Sequence, residues 1–500
     1  MNAFQRKSLY AALASAGALG AATTAQAVNV NPNGLGQVLL YPYFTVNSDA
    51  AGHAYNSLLS VINSTDSVKV VKVRFIEGKN SREVLDFNLF LSPFDVWTSV
   101  VIPSPATIGG RMITNDKSCT QPPISTSQGG PGFVDFVNYA YTGTNDDKGG
   151  AGLDRTREGY VELIEMGTFA SDQTVAVAAT HANGSVAGQP DCKPITDSLI
   201  HHEIFSNSGG LFGGMTLVNV ADGTDYTEDA VALDNFAGGG TNFYSSPGAI
   251  TPNLSFASPP VSQVVAFGAF FSSFWASSTA DPVSAVLMHD HVMNEFVLDA
   301  ITKSGTDWVI TFPTKQFYVK VGTGLAPKLF QRNFNDGVGS CDDVTLNIYD
   351  REEKTTSTPV TFSPPPPTPG NSICWEANVV TFNSSNVLGS FNTANINTSF
   401  EHGWLNLGFF PQSVTGTVHE LISTNTLVVN SFGGGGSGET VTYMGLPLIG
   451  FMVESFTNGT LVVGGVNVLS NYGGNFVHKT STCIGPSPCS VIDTGGALAQ

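Results

Sequence analysis

Apolar and polar positions alternate in short runs along the chain. Gln37–Val46, Ser57–Asn63, Val68–Glu77, Glu83–Leu91 and Val96–Ile102 are rich in Val, Leu, Phe and Tyr, and Asn, Asp, Ser, Gly and Pro separate them. Runs spaced roughly 8–14 residues apart predict antiparallel strands of a sandwich or barrel. Ser67–Gly78 shows the period most clearly, with Lys69, Val71, Val73 and Phe75 on one side and Val68, Val70, Lys72 and Arg74 on the other. That is the pattern of a half-buried strand. On the neighbouring run, Asp86 is placed to pair with Arg74 across the two strands.

Residues 104–158 read as a long loop region with glycine clusters at Gln128–Gly132 and Lys148–Gly152. Strand signals resume at Gly159–Phe169, Gly214–Val220 and Trp308–Pro313, then at Asn378–Phe382, Gly403–Phe410, Val418–Asn430, Thr440–Val453 and Thr460–Val468. Val286–Ile301 is the best helix candidate. The expected fold class is all-β, made of mainly antiparallel sandwich-like domains with long loops and few short helices. The expected division is a leader at residues 1–27, a β-rich region at 28–325 and a second at 326–500, with the boundary near Gly322–Lys328. Leu59–Asn63 with Asp66 echoes Met215–Asn219 with Asp222, which would fit two related sandwich units in the first region.

Composition narrows the function. The net charge is −19, and charged residues make up 12% of the chain. Such an acidic chain repels phosphate backbones, so nucleic acid is not expected as a partner. A hydrophobic share of 41% is enough for a sizeable core and speaks against disorder. Gly, Asn, Ser and Thr supply much of the polar surface.

The front of the chain has the order of a secretory leader. Arg6 and Lys7 precede an apolar stretch from Leu9 to Ala22, and Ala25-Gln26-Ala27 offers a small-x-small cleavage site. The stretch is shorter than the roughly 20 residues a membrane span needs, and no transmembrane helix is expected later. The expected location is extracytoplasmic: cell surface, secreted or periplasmic. Six cysteines in such a chain read as disulfides. Chain order favours Cys119–Cys192, Cys341–Cys374 and Cys483–Cys489, each closing a local loop. The second would enclose Pro364–Pro367, a stiff loop rather than a linker.

Candidate chemistry is sparse. No lipase-type elbow, phosphate-binding loop or His-Glu-x-x-His motif occurs after the leader. His289 and His291 flank Asp290 and would share one face if the segment were a strand, where they could clasp a metal. His201-His202-Glu203 is a second cluster; polar loop histidines are the plainer reading of both. Asp146, Asp147 and Asp154, with Asn145 in a Gly-rich loop, form the best calcium candidate, although Thr156 stands where an EF-hand needs its bidentate Glu. Glu162 and Glu165 invite a glycosidase reading, but on a strand they point to opposite faces. Phe267, Phe270, Phe271, Phe274 and Trp275 could stack on sugar rings; core packing is the plainer role.

Several phrases resemble a family of uncharacterised secreted "cell surface" proteins of proteobacteria. They are Gly34–Phe44, Lys72–Trp97, Gly305–Lys315 and Ile373-Cys374-Trp375-Glu376. The resemblance implies export and a surface role and carries over no catalytic residue. The leading expectation is a non-enzymatic surface or extracellular protein, structural or adhesive, that self-associates. A polysaccharide-binding or other ligand-binding module and an extracellular hydrolase with an unfamiliar site are the alternatives.

Overall fold

The computed structural model describes residues 26–485, apart from residues 50, 182–187, 276–279, 320–328, 335–338, 357–359, 367–370, 410–418 and 431–434. The leader before Gln26, Cys489 and the Gly322–Lys328 boundary segment lie outside the described residues. The chain folds as packed, mainly antiparallel β-sheets with a few short helices. No helix among the described residues is long and apolar enough to cross a membrane.

The first two sheets face each other. A seven-stranded sheet carries Val38–Thr45, Glu158–Phe169, Val68–Glu77 and Glu83–Leu91 as successive neighbours. A six-stranded sheet pairs Leu211–Asn219 with Asn56–Asn63, and Asn56–Asn63 with Val96–Pro103. Their inner faces meet in one core containing Tyr41, Val73, Phe87, Trp97 and Met215. The two echoing segments are therefore adjacent strands of one sheet, with Leu59 opposite Met215. They do not mark two repeated units. The likeness comes from shared turn chemistry: the Asn63 side chain accepts from the Thr65 N–H, and the Asn219 side chain from the Asp222 N–H.

A five-stranded sheet forms the next layer. Gly305–Thr311 lies hydrogen-bonded between Ala377–Phe382 and Ile449–Phe456. A four-stranded sheet with His291–Val297, His402–Gly408 and Thr345–Asp350 packs beyond it. Strands from before and after residue 325 thus alternate within single sheets. The sheets group residues 261–485 together and do not divide at 325.

Four local expectations need correction. Val68–Glu77 is buried on both faces, not one. Lys72 and Arg74 stand inside because carboxylates meet them, which is how a charge survives burial. Arg74 and Asp86 do sit opposite each other in the register, but their ion pairs run elsewhere. Arg74 binds Glu83 at 2.7 Å and Glu162 at 2.6 Å, while Asp86 binds Lys72.

The helix expected over Val286–Ile301 is absent. A short helix ends at Val286, and Met288–His289 and His291–Val297 are strands. Val292 and Phe296 have helical spacing, yet on a strand they flank Asn294 on one face. Asn294 reaches the Phe476 carbonyl and the His478 ring, so a polar residue interrupts an otherwise apolar stripe. The expected loop over residues 104–158 also contains strands at Gly110–Ile113 and Phe133–Asp135, which extend the six-stranded sheet.

Candidate functional site

The sequence-derived metal candidates do not converge. His289 and His291 fall on different sheets, separated by Asp290. His291 turns to Asp290, with Nδ1 at 2.9 Å from Oδ2. His289 lines a cleft of about 530 Å³ together with His478, Leu287 and Val30. Burial pushes both His289 and His478 down to about 4, so both rings are neutral at pH 7.

The calcium candidate is likewise dispersed. Asp147 is buried against Arg155 at 2.8 Å and accepts from Asn80 at 2.9 Å. Those contacts hold its carboxyl down at about 2 despite burial. Asp146 pairs with Lys148 at the surface. Asp154 belongs to a short 3-10 turn, Leu153–Arg157. Each of the first two already has a cation of the protein's own.

Glu162 and Glu165 point to opposite faces, as strand parity requires. Glu162 meets Arg74, and Glu165 meets Lys69 at 2.8 Å, all of them sealed from solvent. The His201-His202-Glu203 cluster is also structural. Glu203 accepts from the N–H groups of Thr174 and Val175 at the start of the preceding helix, and His201 packs edge-on against Tyr244. The aromatic run is a hairpin, Val261–Ala266 and Ala269–Phe274, turning at Phe267 and Gly268. Trp275 is buried, Phe271 packs on the core, and Phe267 at the turn is 72% exposed.

The sequence reading missed one convergent group. Asp49, His53 and Asp222 bring three ligand-type atoms within 4.8 Å, a grouping found once among the described residues. His53 Nδ1 lies 2.7 Å from Asp222, and the Asn219 amide donates to both Asp222 and Asp49. Asp49 also accepts from the N–H groups of Ala51 and His53. The group is internally satisfied: it ties the Asp49 turn to the Asp222 turn at the rim of a cleft of about 280 Å³. The local cue was that each Asp sits in a turn beside Gly, but their spatial meeting has no sequence signal.

The outer face of the six-stranded sheet carries a shallow groove of about 800 Å³. The register places Thr227, Thr216, Leu58, Val100, Ile113 and Phe133 in one row across it. A second row runs Asp229, Gly214, Ser60, Thr98. Phe212, Ile62 and Val96 make a third. Gly214 removes a side chain from the middle of the face and so deepens the groove. Leu58 is 43% exposed and Val96 50%. Across these rows Asp229 is the one charged side chain; Asp116 also lines the groove, and Arg111 pairs with Asp135 in the next row. Comparison with protein families, curated proteins and solved structures returns no match to this chain.

Proposed function

We propose that this chain is an exported surface protein that acts without catalysis, by association through the outer face of its six-stranded sheet. The occupant we assign to that face is a second copy of the chain. One observation carries the reading: a broad, exposed face of apolar and hydroxyl side chains whose groove is lined by two charged side chains, Asp116 and Asp229. A contiguous exposed patch of this kind marks an interaction surface. The chain as a whole is strongly acidic, so two copies repel over most orientations and meet with least repulsion here. Charged side chains are depleted at the centres of protein interfaces, and Lys and Glu are missing from these rows. The disulfides Cys119–Cys192 and Cys341–Cys374 are compatible with an oxidising, extracytoplasmic setting.

Ser60, Thr98, Thr216 and Thr227 favour one alternative occupant, a glycan held by hydroxyl contacts. Light scattering of the mature protein across a salt series, with and without soluble polysaccharides, separates the two. Association that rises with salt supports the proposal, because salt screens repulsion over about 10 Å at 0.1 M. A monomer at every salt concentration that binds a polysaccharide overturns it.

A further inference from the structure

Lys315, Asp342 and Glu376 come from three separate segments and are each at most 1% exposed, and Glu376 lies near enough to feel the charges of both others. Lys315 Nζ lies 2.9 Å from Asp342 Oδ2 and 5.3 Å from the ring centres of both Phe312 and Phe330. Asp342 Oδ1 accepts from the Gln331 N–H at 2.7 Å, and His419 Nε2 stands 3.4 Å away from it. No hydrogen bond of good geometry reaches either oxygen of Glu376. Its main chain is fixed, because the Phe312 N–H donates to the Glu376 carbonyl at 2.7 Å.

The amine also donates to the Ser340 carbonyl at 2.5 Å, and the Ser81 side chain approaches Glu376, yet one buried cation against two buried carboxyls is an expensive arrangement for a mere ion pair. Desolvating both charges costs more than their attraction commonly returns. From this geometry we infer that Lys315 and Asp342 condense to an intramolecular amide, with Glu376 relaying protons. The amine and the carboxyl are in contact, Nζ at 2.9 Å from Oδ2, and burial holds the two groups together without competing water.

The balance is closed without any co-reactant. Although burial alone would raise it, Lys315 and His419 hold the Asp342 carboxyl below its usual range, so the first step is uphill: Lys315 passes one proton to Asp342, giving an amine and a neutral acid. Nζ attacks Cγ and forms the C–N bond. The Gln331 N–H holds the developing charge on Oδ1, as a preorganised donor does for an oxyanion. Glu376 takes the second proton from nitrogen and returns its own to Oδ2. The Cγ–Oδ2 bond breaks and one water leaves. Burial raises Glu376 to about 8, so it carries the proton this relay needs at neutral pH.

Lys69 and Glu165 provide an internal contrast. That pair is equally buried, at 2.8 Å. The Glu165 oxygens also accept from the N–H groups of Ser208 and Gly209, and a hydroxyl of Ser208 meets Lys69. Donors hold that carboxyl on both oxygens, and we assign it no condensation.

The test is intact mass and peptide mapping of the reduced, denatured mature protein. The expected result is a chain lighter by the mass of one water, with the peptide carrying Lys315 joined to the one carrying Asp342. Lys315→Arg and Asp342→Ala should each restore the full mass. Glu376→Gln should restore it while the native circular dichroism persists; bond formation in that variant to the wild-type extent would remove Glu376 from the reaction. If the variants do not fold, the wild-type map decides alone. Folded wild-type protein with Lys315 and Asp342 both unmodified overturns the inference.

Discussion

Trp308 and Val309 are neighbours in the chain but lie in different hydrophobic cores. Val309 packs with Val73, Leu163 and Phe451, and Trp308 with Phe296, Phe382 and Leu405. Their strand is buried on both faces, so the five-stranded sheet is a shared wall between the two halves of the molecule.

That wall couples the halves. Trp308→Ala should cost about 3–5 kcal/mol, the usual range for emptying a buried aromatic site. The loss should lower one calorimetric transition that includes both cores. Two separate transitions, only one of them shifted, would contradict the shared wall.

Asp307, on the same strand, gives a pH signature. It is fully buried and accepts from the Leu388 N–H at 2.9 Å. Burial raises its carboxyl from 3.8 to about 6. The folded state then holds a proton that the unfolded state releases, so stability falls as pH rises from about 4 to about 6 and is flat above that. The contribution is on the order of 3 kcal/mol at full extent. Asp307→Asn keeps an acceptor for Leu388 and should flatten this part of the curve. Urea unfolding at several pH values checks it, and an unchanged slope would count against the assignment.

Metal content should be insensitive to the histidine pair singled out from sequence. His289→Ala with His291→Ala is expected to leave bound metal, measured by mass spectrometry of the native protein, as it is in the parent. The side chains serve different sheets, and His291 is occupied by Asp290. Stoichiometric metal lost on the double change would show that the two rings do converge.

Much of the fold was readable because the strands carry their own period. Val68–Glu77 and Glu83–Leu91 appear with the expected bounds; the first is rich in β-branched residues, the second in Leu and Phe, and turn formers separate them. Val286–Ile301 misled because Asn294 breaks the alternation and leaves Val292 and Phe296 at helical spacing; pairing with His402–Gly408 and Lys479–Ser481 then decided the conformation. Partners set by distant pairing were not readable. Lys72 and Arg74 looked like a wet face until Asp86, Glu83 and Glu162 closed on them. The meeting of Lys315, Asp342 and Glu376 also depends on three separate segments. No local pattern encodes it.

Processing and oxidation can be read on one sample. The Val28 N–H donates to Val261, and the Val28 carbonyl accepts from Gln263, both at 2.8 Å. A mature chain that begins at Val28 keeps its first residue in the fold. N-terminal sequencing should start there, and non-reducing peptide mapping should find Cys119 with Cys192 and Cys341 with Cys374. An intact Met1 on material from outside the cytoplasm, or free thiols at these four positions, would contradict export with oxidation.

The central claim is association through the sheet face, and Leu58 stands in the longest row of that face, between Thr216 and Val100. Sedimentation velocity of the parent and of Leu58→Lys, each at low and high salt, tests it most directly. The substitution places a charge on an exposed position and should leave stability within about 0.5 kcal/mol. We expect the parent to form larger species as salt rises and Leu58→Lys to stay monomeric throughout. Equal association of the two proteins, or a parent that is monomeric under every condition, would contradict the account.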